Sequence, residues 1–219
     1  MRLWLALCLA AAMLLAPIVA SAADCTGGTS VPNFTVALKD PPVNYRMDLD
    51  TASMSKIAGE NGMAGLKSEI PFGLTIGRYD LEVTVDTDSI RSGNGYCAQL
   101  RAAHVEIGLK QLDVVVDRRF PAHSCQREAI IDHESEHVDV FREAVRYYLP
   151  TIERTLAATP LPPTVHVAER GTARDAYLDP ITEALKPIFE AINGRARDGN
   201  TRLDAPDSYA AVFRRCDHW

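Results

Sequence analysis

The hydrophobic pattern of this chain changes period once, at Cys125, and that change divides the fold. Before it, apolar residues alternate. Phe34, Val36 and Leu38 share one parity, as do Val43, Tyr45, Met47 and Leu49, with Pro41-Pro42 between the two runs. Tyr79, Leu81, Val83 and Val85 alternate with Asp80, Glu82, Thr84 and Asp86. Such alternation marks a strand with one buried face. Val105, Ile107 and Leu109, then Val114, Val115 and Val116, predict two more strands, to about Asp117. After Cys125 the apolar residues recur at helical spacing.

The expected architecture is α+β: a small, mostly antiparallel sheet over about 31–117, followed by a long helical hairpin. Its helices are expected at about 126–158 and 166–197, joined by the stiff loop TPLPPT, with a tail over 198–219. Pro180 and Pro187 are positioned to bend the second helix. A short helix is expected within 51–66, capped by Asp50 or Thr51. The stretch RSGNGYC reads as turn-rich.

The first long helix carries His133-Glu134-Ser135-Glu136-His137. At 100° per residue, Ile130, Val140, Phe141, Ala144 and Tyr148 lie within about 80° of His133. His137 falls at about 40° and Glu134 at about 100°. Glu128, Asp132, Ser135, Asp139, Arg142, Glu143 and Arg146 gather on the far side. Both histidines therefore sit in the apolar stripe, where a decorative charged helix would not put them.

Histidines four apart stack on one helix face, so two imidazoles can converge on one metal at about 2.0–2.1 Å. A glutamate next to the first points aside, away from ligation but within reach of a water molecule. Zinc lowers the pKa of such a water to about 7, and the carboxylate then serves as general base. Burial tunes that base by raising its pKa. The expected site is one Zn2+ held by His133 and His137, with Glu134 catalytic.

The amino terminus reads as a secretory signal peptide over residues 1–23: Arg2, the apolar run Leu3 to Ala16, Pro17, then Ala20-Ser21-Ala22. The apolar run is shorter than the ~20 residues a membrane span needs, so no stable span is expected after cleavage. A secreted or periplasmic location is expected. Cys25, Cys97, Cys125 and Cys216 remain after cleavage, and four cysteines permit three pairings. Of these we favour Cys25–Cys97 and Cys125–Cys216, which would tie the strand region together and pin the tail near the start of the metal-binding helix. No pair has the CxxC spacing of a zinc knuckle. The formal charge of −6, with no clustered Lys/Arg, excludes a nucleic-acid partner.

His133 to His137 match the HExxH helix of zincin metallopeptidases. The wider stretch FPAHSCQREAIIDHESEHV resembles a group of uncharacterised bacterial secreted proteins described as zinc-dependent proteases. Their late LDAPDSY-type segment and following cysteine recur at Leu203–Tyr209 and Cys216, so the likeness covers the chain from about residue 97. It implies a single zincin-like domain over 24–219, zinc ligands at His133 and His137, a base at Glu134 and a peptide or protein substrate.

The better-characterised branches are not matched. The metzincin glycine and third histidine are missing after His137, where the chain reads VDVFRE. GTARDAY at 171–177 has one residue too many before Asp175 for the aspzincin pattern. Glu183 and Glu190 could supply a gluzincin-type ligand, but both lie opposite the stripe Ile181, Leu185, Ile188 and Ile192. His104, His123 and His166 are further candidates, read by default as solvated strand or loop residues. No third ligand is assigned. The expected function is a secreted zinc-dependent hydrolase, foremost a peptidase. The alternative is a non-catalytic exported envelope protein that keeps the helix as a metal-binding or structural scaffold.

Overall fold

The computed structural model describes Cys25, residues 31–61 and residues 72–219. The expected signal peptide, and residues 62–66 of the expected first helix, lie outside the described residues.

Two strands organise the fold. β3 (Gly73–Ser92) and β4 (Gly95–Val116) form a long antiparallel hairpin, turned by Gly93 at φ 59°. β1 (Asn33–Lys39) and β2 (Asn44–Arg46) lie in line along the other edge of β4, separated by Asp40-Pro41-Pro42-Val43. The short β5 (Val165–Val167) joins that same edge, antiparallel to β4.

The mostly antiparallel sheet expected from sequence is not the one that forms. β1 and β2 both run parallel to β4, so the path β1–β4–β2 is parallel throughout, and the antiparallel pairings belong to β3 and β5. The physical reason is connectivity. The chain leaves β2, passes through α1 (Thr51–Glu60), travels the length of β3 and only then enters β4. That crossover is long enough for parallel pairing. Alternating hydrophobicity reports which face is buried and carries no information on strand direction.

The two strands expected near 105–109 and 114–116 are one strand. The register shifts between Arg78 and Tyr79, where Leu109 and Gln111 are the successive partners and Lys110 is left over. Such a bulge flips parity, so Val105, Ile107 and Leu109 continue on the same buried face as Leu112, Val114 and Val116. A second shift between Asp86 and Thr87 leaves Arg101 unpaired.

α2 (Cys125–Ala158) begins within one residue of expectation, with the Ser124 hydroxyl accepting from the Arg127 amide at 3.2 Å. α1 is capped by Asp50, which accepts from Ser53. The second helix of the expected hairpin is displaced. Residues 165–167 form β5, a 3-10 turn spans Arg170–Ala173, and α3 runs Asp175–Leu203. The expected tail contains α4 (Pro206–Phe213).

α2 and α3 pack side by side on one face of the sheet. Ile152, Leu156, Tyr177, Ile181, Leu185 and Ile192 are fully buried there against Val105 and Ile107. Each such side chain stabilises the fold by about 1.5–3 kcal/mol. α1 covers the other face at one end, through Met54 and Ala58 on Leu74, Ile76 and Val115. The expected disulfides form: Cys25–Cys97 and Cys125–Cys216. Among the described residues no helix is long and apolar enough to cross a membrane.

Candidate metal centre

The centre lies where α2 is pressed between β3 and the end of α3. Two glycines permit that approach. A Cβ at Gly73 of β3 would stand 2.4 Å from Glu134 Oε1 and 2.6 Å from Ile130 Cγ2. A Cβ at Gly199 of α3 would stand 2.6 Å from Val140 Cγ1. Neither distance tolerates a side chain, so the two backbones close on the histidine stripe from either side.

The stripe is buried as its helical position requires. His133, Glu134 and His137 are 4%, 3% and 6% exposed. His133 Nε2 and His137 Nε2 stand 3.3 Å apart. The third member is Asp204, the C-cap of α3. Its Oδ1 lies 3.1 Å from His137 Nε2 and 3.5 Å from His133 Nε2. Ligands held tetrahedrally at about 2.0–2.2 Å from one ion are separated by about 3.3–3.6 Å. Two nitrogens and one carboxylate oxygen are thus already spaced to share an ion, and His133, His137 and Asp204 could hold a metal.

The surroundings orient this set. Asn200, one turn before Asp204 on α3, places Oδ1 3.0 Å from His137 Nδ1. It accepts from the Nδ1–H, which leaves Nε2 to face the other two members. Glu134 stands outside the set. Its Oε2 accepts from Thr75 Oγ1 at 2.7 Å, and the same hydroxyl lies 3.1 Å from the Glu134 carbonyl oxygen. β3 therefore cradles this carboxylate through Gly73 and Thr75.

The electrostatics suit a cation. Burial pushes the Glu134 carboxyl up, partly offset by the His137 charge and the Thr75 hydrogen bond. Burial also disfavours the charged form of Asp204, but the hydrogen bonds from His133 and His137 win and hold it well below the usual carboxylate range. Burial opposes charging His137 too. The Asp204 hydrogen bond, the Glu134 charge and Asn200 outweigh it and raise the imidazole to about 9. Both shifts favour positive charge between Asp204 and the imidazoles.

The other candidates lie elsewhere. Glu183 and Glu190 are exposed, as their side of the helix required. His104 faces outward on the sheet, hydrogen-bonded to Thr35 Oγ1 at 2.6 Å. His123 occupies a loop at φ 62°, and exposed His166 on β5 reaches Ser92 O at 3.4 Å. Asp204 is the member that sequence reasoning missed. Ending the second helix near 197 left it in a tail without a facing direction. At 100° per residue the stripe Ile181, Leu185, Ile188, Ile192, Ala196 and Gly199 continues to Leu203, while Asn200 and Asp204 fall on its flank, about 80° and 120° from its centre, a facing that hydrophobic periodicity does not assign. Compared with known proteins, the chain matches no family model, no curated protein and no solved structure.

Proposed function

We propose that this protein is an exported zinc-dependent hydrolase acting on peptide bonds. The observation that carries the reading is a buried carboxylate, Glu134, adjacent to the ligand set yet excluded from it. A purely structural metal site has no use for a base in that position.

His133, His137 and Asp204 would hold the zinc. Bound there, it would supply Lewis acidity toward water and toward the scissile carbonyl. The chain's own groups do the rest. Glu134, raised by burial towards the working range of a general base, takes the proton from the attacking water and returns it to the leaving amine. Thr75 holds one oxygen of that carboxylate, fixing which way it faces. Asn200 sets the His137 tautomer. Among the described residues β3 pairs only with β4, so its other edge offers main-chain groups for an extended peptide beside Thr75. Export is supported by the sequence of residues 1–23 and is compatible with the two disulfides.

The second reading is a non-catalytic exported envelope protein that keeps this helix as a metal-binding scaffold. The low exposure of His133, Glu134 and His137 favours it. One experiment separates the two. Metal content is measured on the mature protein, on Glu134→Ala and on His137→Ala, followed by hydrolysis of a fluorogenic peptide library. The hydrolase reading expects about one zinc in wild type and Glu134→Ala and none in His137→Ala. It also expects peptide cleavage that falls by roughly 10²–10⁴ in Glu134→Ala. Full zinc occupancy with no cleavage in any of the three selects the scaffold. No zinc in wild type, even when supplied, removes both.

A further inference from the structure

The three buried residues of the centre raise a question of access. A peptide cannot reach side chains that are 3–6% exposed without something moving. One segment is fastened along one flank of the histidine stripe. It follows directly on Asp204, continues as α4 and ends at Trp219.

Its attachments are on the page. Cys216 is bonded to Cys125, the exposed first residue of α2, with Cα atoms 5.9 Å apart. Arg215 reaches Asp132 at 3.3 Å and Glu136 at 3.7 Å, on the rim of α2 that flanks both histidines. The His218 carbonyl accepts from Gln126, seven residues before His133 and on the same helix face. The Trp219 indole donates to Phe213 O at 2.8 Å, and the two rings pack together at 4.9 Å. Both then meet Phe72: Phe213 edge-on at 5.7 Å, Trp219 stacked at 6.0 Å. Phe72 is the residue before Gly73, the position that touches Glu134. The segment thus runs from the ligand Asp204 along α2 and clasps the start of β3, bridging the two walls between which the centre sits.

We infer that residues 205–219 form a strap that gates the metal centre, with the Cys125–Cys216 disulfide as its latch. The inference rests on the metal-centre reading above. Apart from the disulfide and the buried Val212, the fastenings are weak ones. The Arg215 pairs are exposed and screened, and Phe213 and Trp219 are 36% and 40% exposed. The covalent link therefore decides how often the strap lifts. Asp204 lies before Pro206, so the strap can lift about residues 205–206 while the ligand stays on α3.

The test separates gating from ligand positioning. Zinc uptake by the metal-free mature protein, and zinc surrender to the bulky chelator 4-(2-pyridylazo)resorcinol, are timed in wild type, Cys125→Ser/Cys216→Ser and Trp219→Ala. Zinc Kd is measured by competition for each. Gating expects both rates to rise together, by about tenfold in the cysteine pair variant and about threefold in Trp219→Ala, with Kd held within about twofold. Unchanged rates in both variants overturn the strap while leaving the metal centre intact. A weakened Kd with an unchanged uptake rate also overturns it, because the segment then only holds Asp204 in place. If the cysteine pair variant fails to fold, Trp219→Ala decides, since it keeps the disulfide. No zinc bound by any form takes down the gate and the metal-centre reading together.

Discussion

Two clusters of ionisable side chains lie on opposite faces of one sheet, and they differ chiefly in how far their acids and histidines are buried. On the helix side His133, Glu134 and His137 are buried and Asp204 is half-buried. On the open side Lys39 sits among Glu82 at 3.0 Å, Glu106 at 3.0 Å and Asp80 at 3.5 Å, with His104 and Asp86 3.5 Å apart nearby. Both clusters contain acids and a histidine at close range. In the open cluster water and salt screen every charge, and Lys39 is itself the cation that satisfies the acids. In the buried cluster the acids face two imidazoles and each other, and that arrangement favours a cation. Proximity alone makes a charge network; burial makes a site.

The largest effect that would break this contrast is removal of Asp204. Asp204→Ala leaves two nitrogens and no carboxylate, so zinc affinity should fall by more than the about 100-fold that marks loss of an outer partner. Asn200→Ala, which removes only the hydrogen bond to His137, should cost about 10–100-fold. His104→Ala on the open face should leave affinity unchanged. Competition titration against a chromophoric chelator reads all three. Equal losses in Asp204→Ala and His104→Ala would dissolve the distinction between the faces.

A smaller, graded effect comes from pH. A nitrogen that carries a proton cannot ligate, so zinc must displace the His137 proton, and its affinity should rise by up to about tenfold per pH unit up to about 9. The metal-free protein behaves oppositely. The folded pKa of His137 is raised above its ordinary 6.5, so its contribution to stability is complete below 6.5 and fades as pH rises through about 9. Asp204 is depressed, so its contribution is complete above 3.8 and fails only in strong acid. The gap in melting temperature between zinc-loaded and metal-free protein should therefore widen from pH 6.5 to 9. A gap that narrows over that interval would mean that His137 is not displaced from its proton by the ion.

What the sequence made legible follows from range. The faces of α2, the inward histidines and Glu134 beside them follow from a 3.6-residue period, which acts within one element. The cysteine pairing was a preference among three, because pairing depends on distances between elements that the sequence does not carry. Strand direction was not legible, because Val36 or Val114 alternates identically in parallel and antiparallel neighbours. Lys110 and Arg101 concealed the continuity of β4 by flipping its parity. Asp204 reaches His137 across 67 residues, so its role depends on where α3 ends and how tightly Gly199 lets it approach.

The smallest expected effect sharpens the comparison from the open side. Glu82 and Glu106 face each other across β3 and β4, a pairing that like charges would normally disfavour. Lys39, from β1, lies 3.0 Å from both, and their hydrogen bonds hold its ammonium above its ordinary range. Yet the group is solvated, so its titration says little about fold stability. Lys39→Met should lower the melting temperature by only about 2 °C in dilute buffer, and added salt should erase the difference. Zinc affinity should not change at all, since the sheet separates the two clusters. A large, salt-resistant loss of stability would mean that the open cluster is not screened, and burial would no longer be the variable that tells the two faces apart.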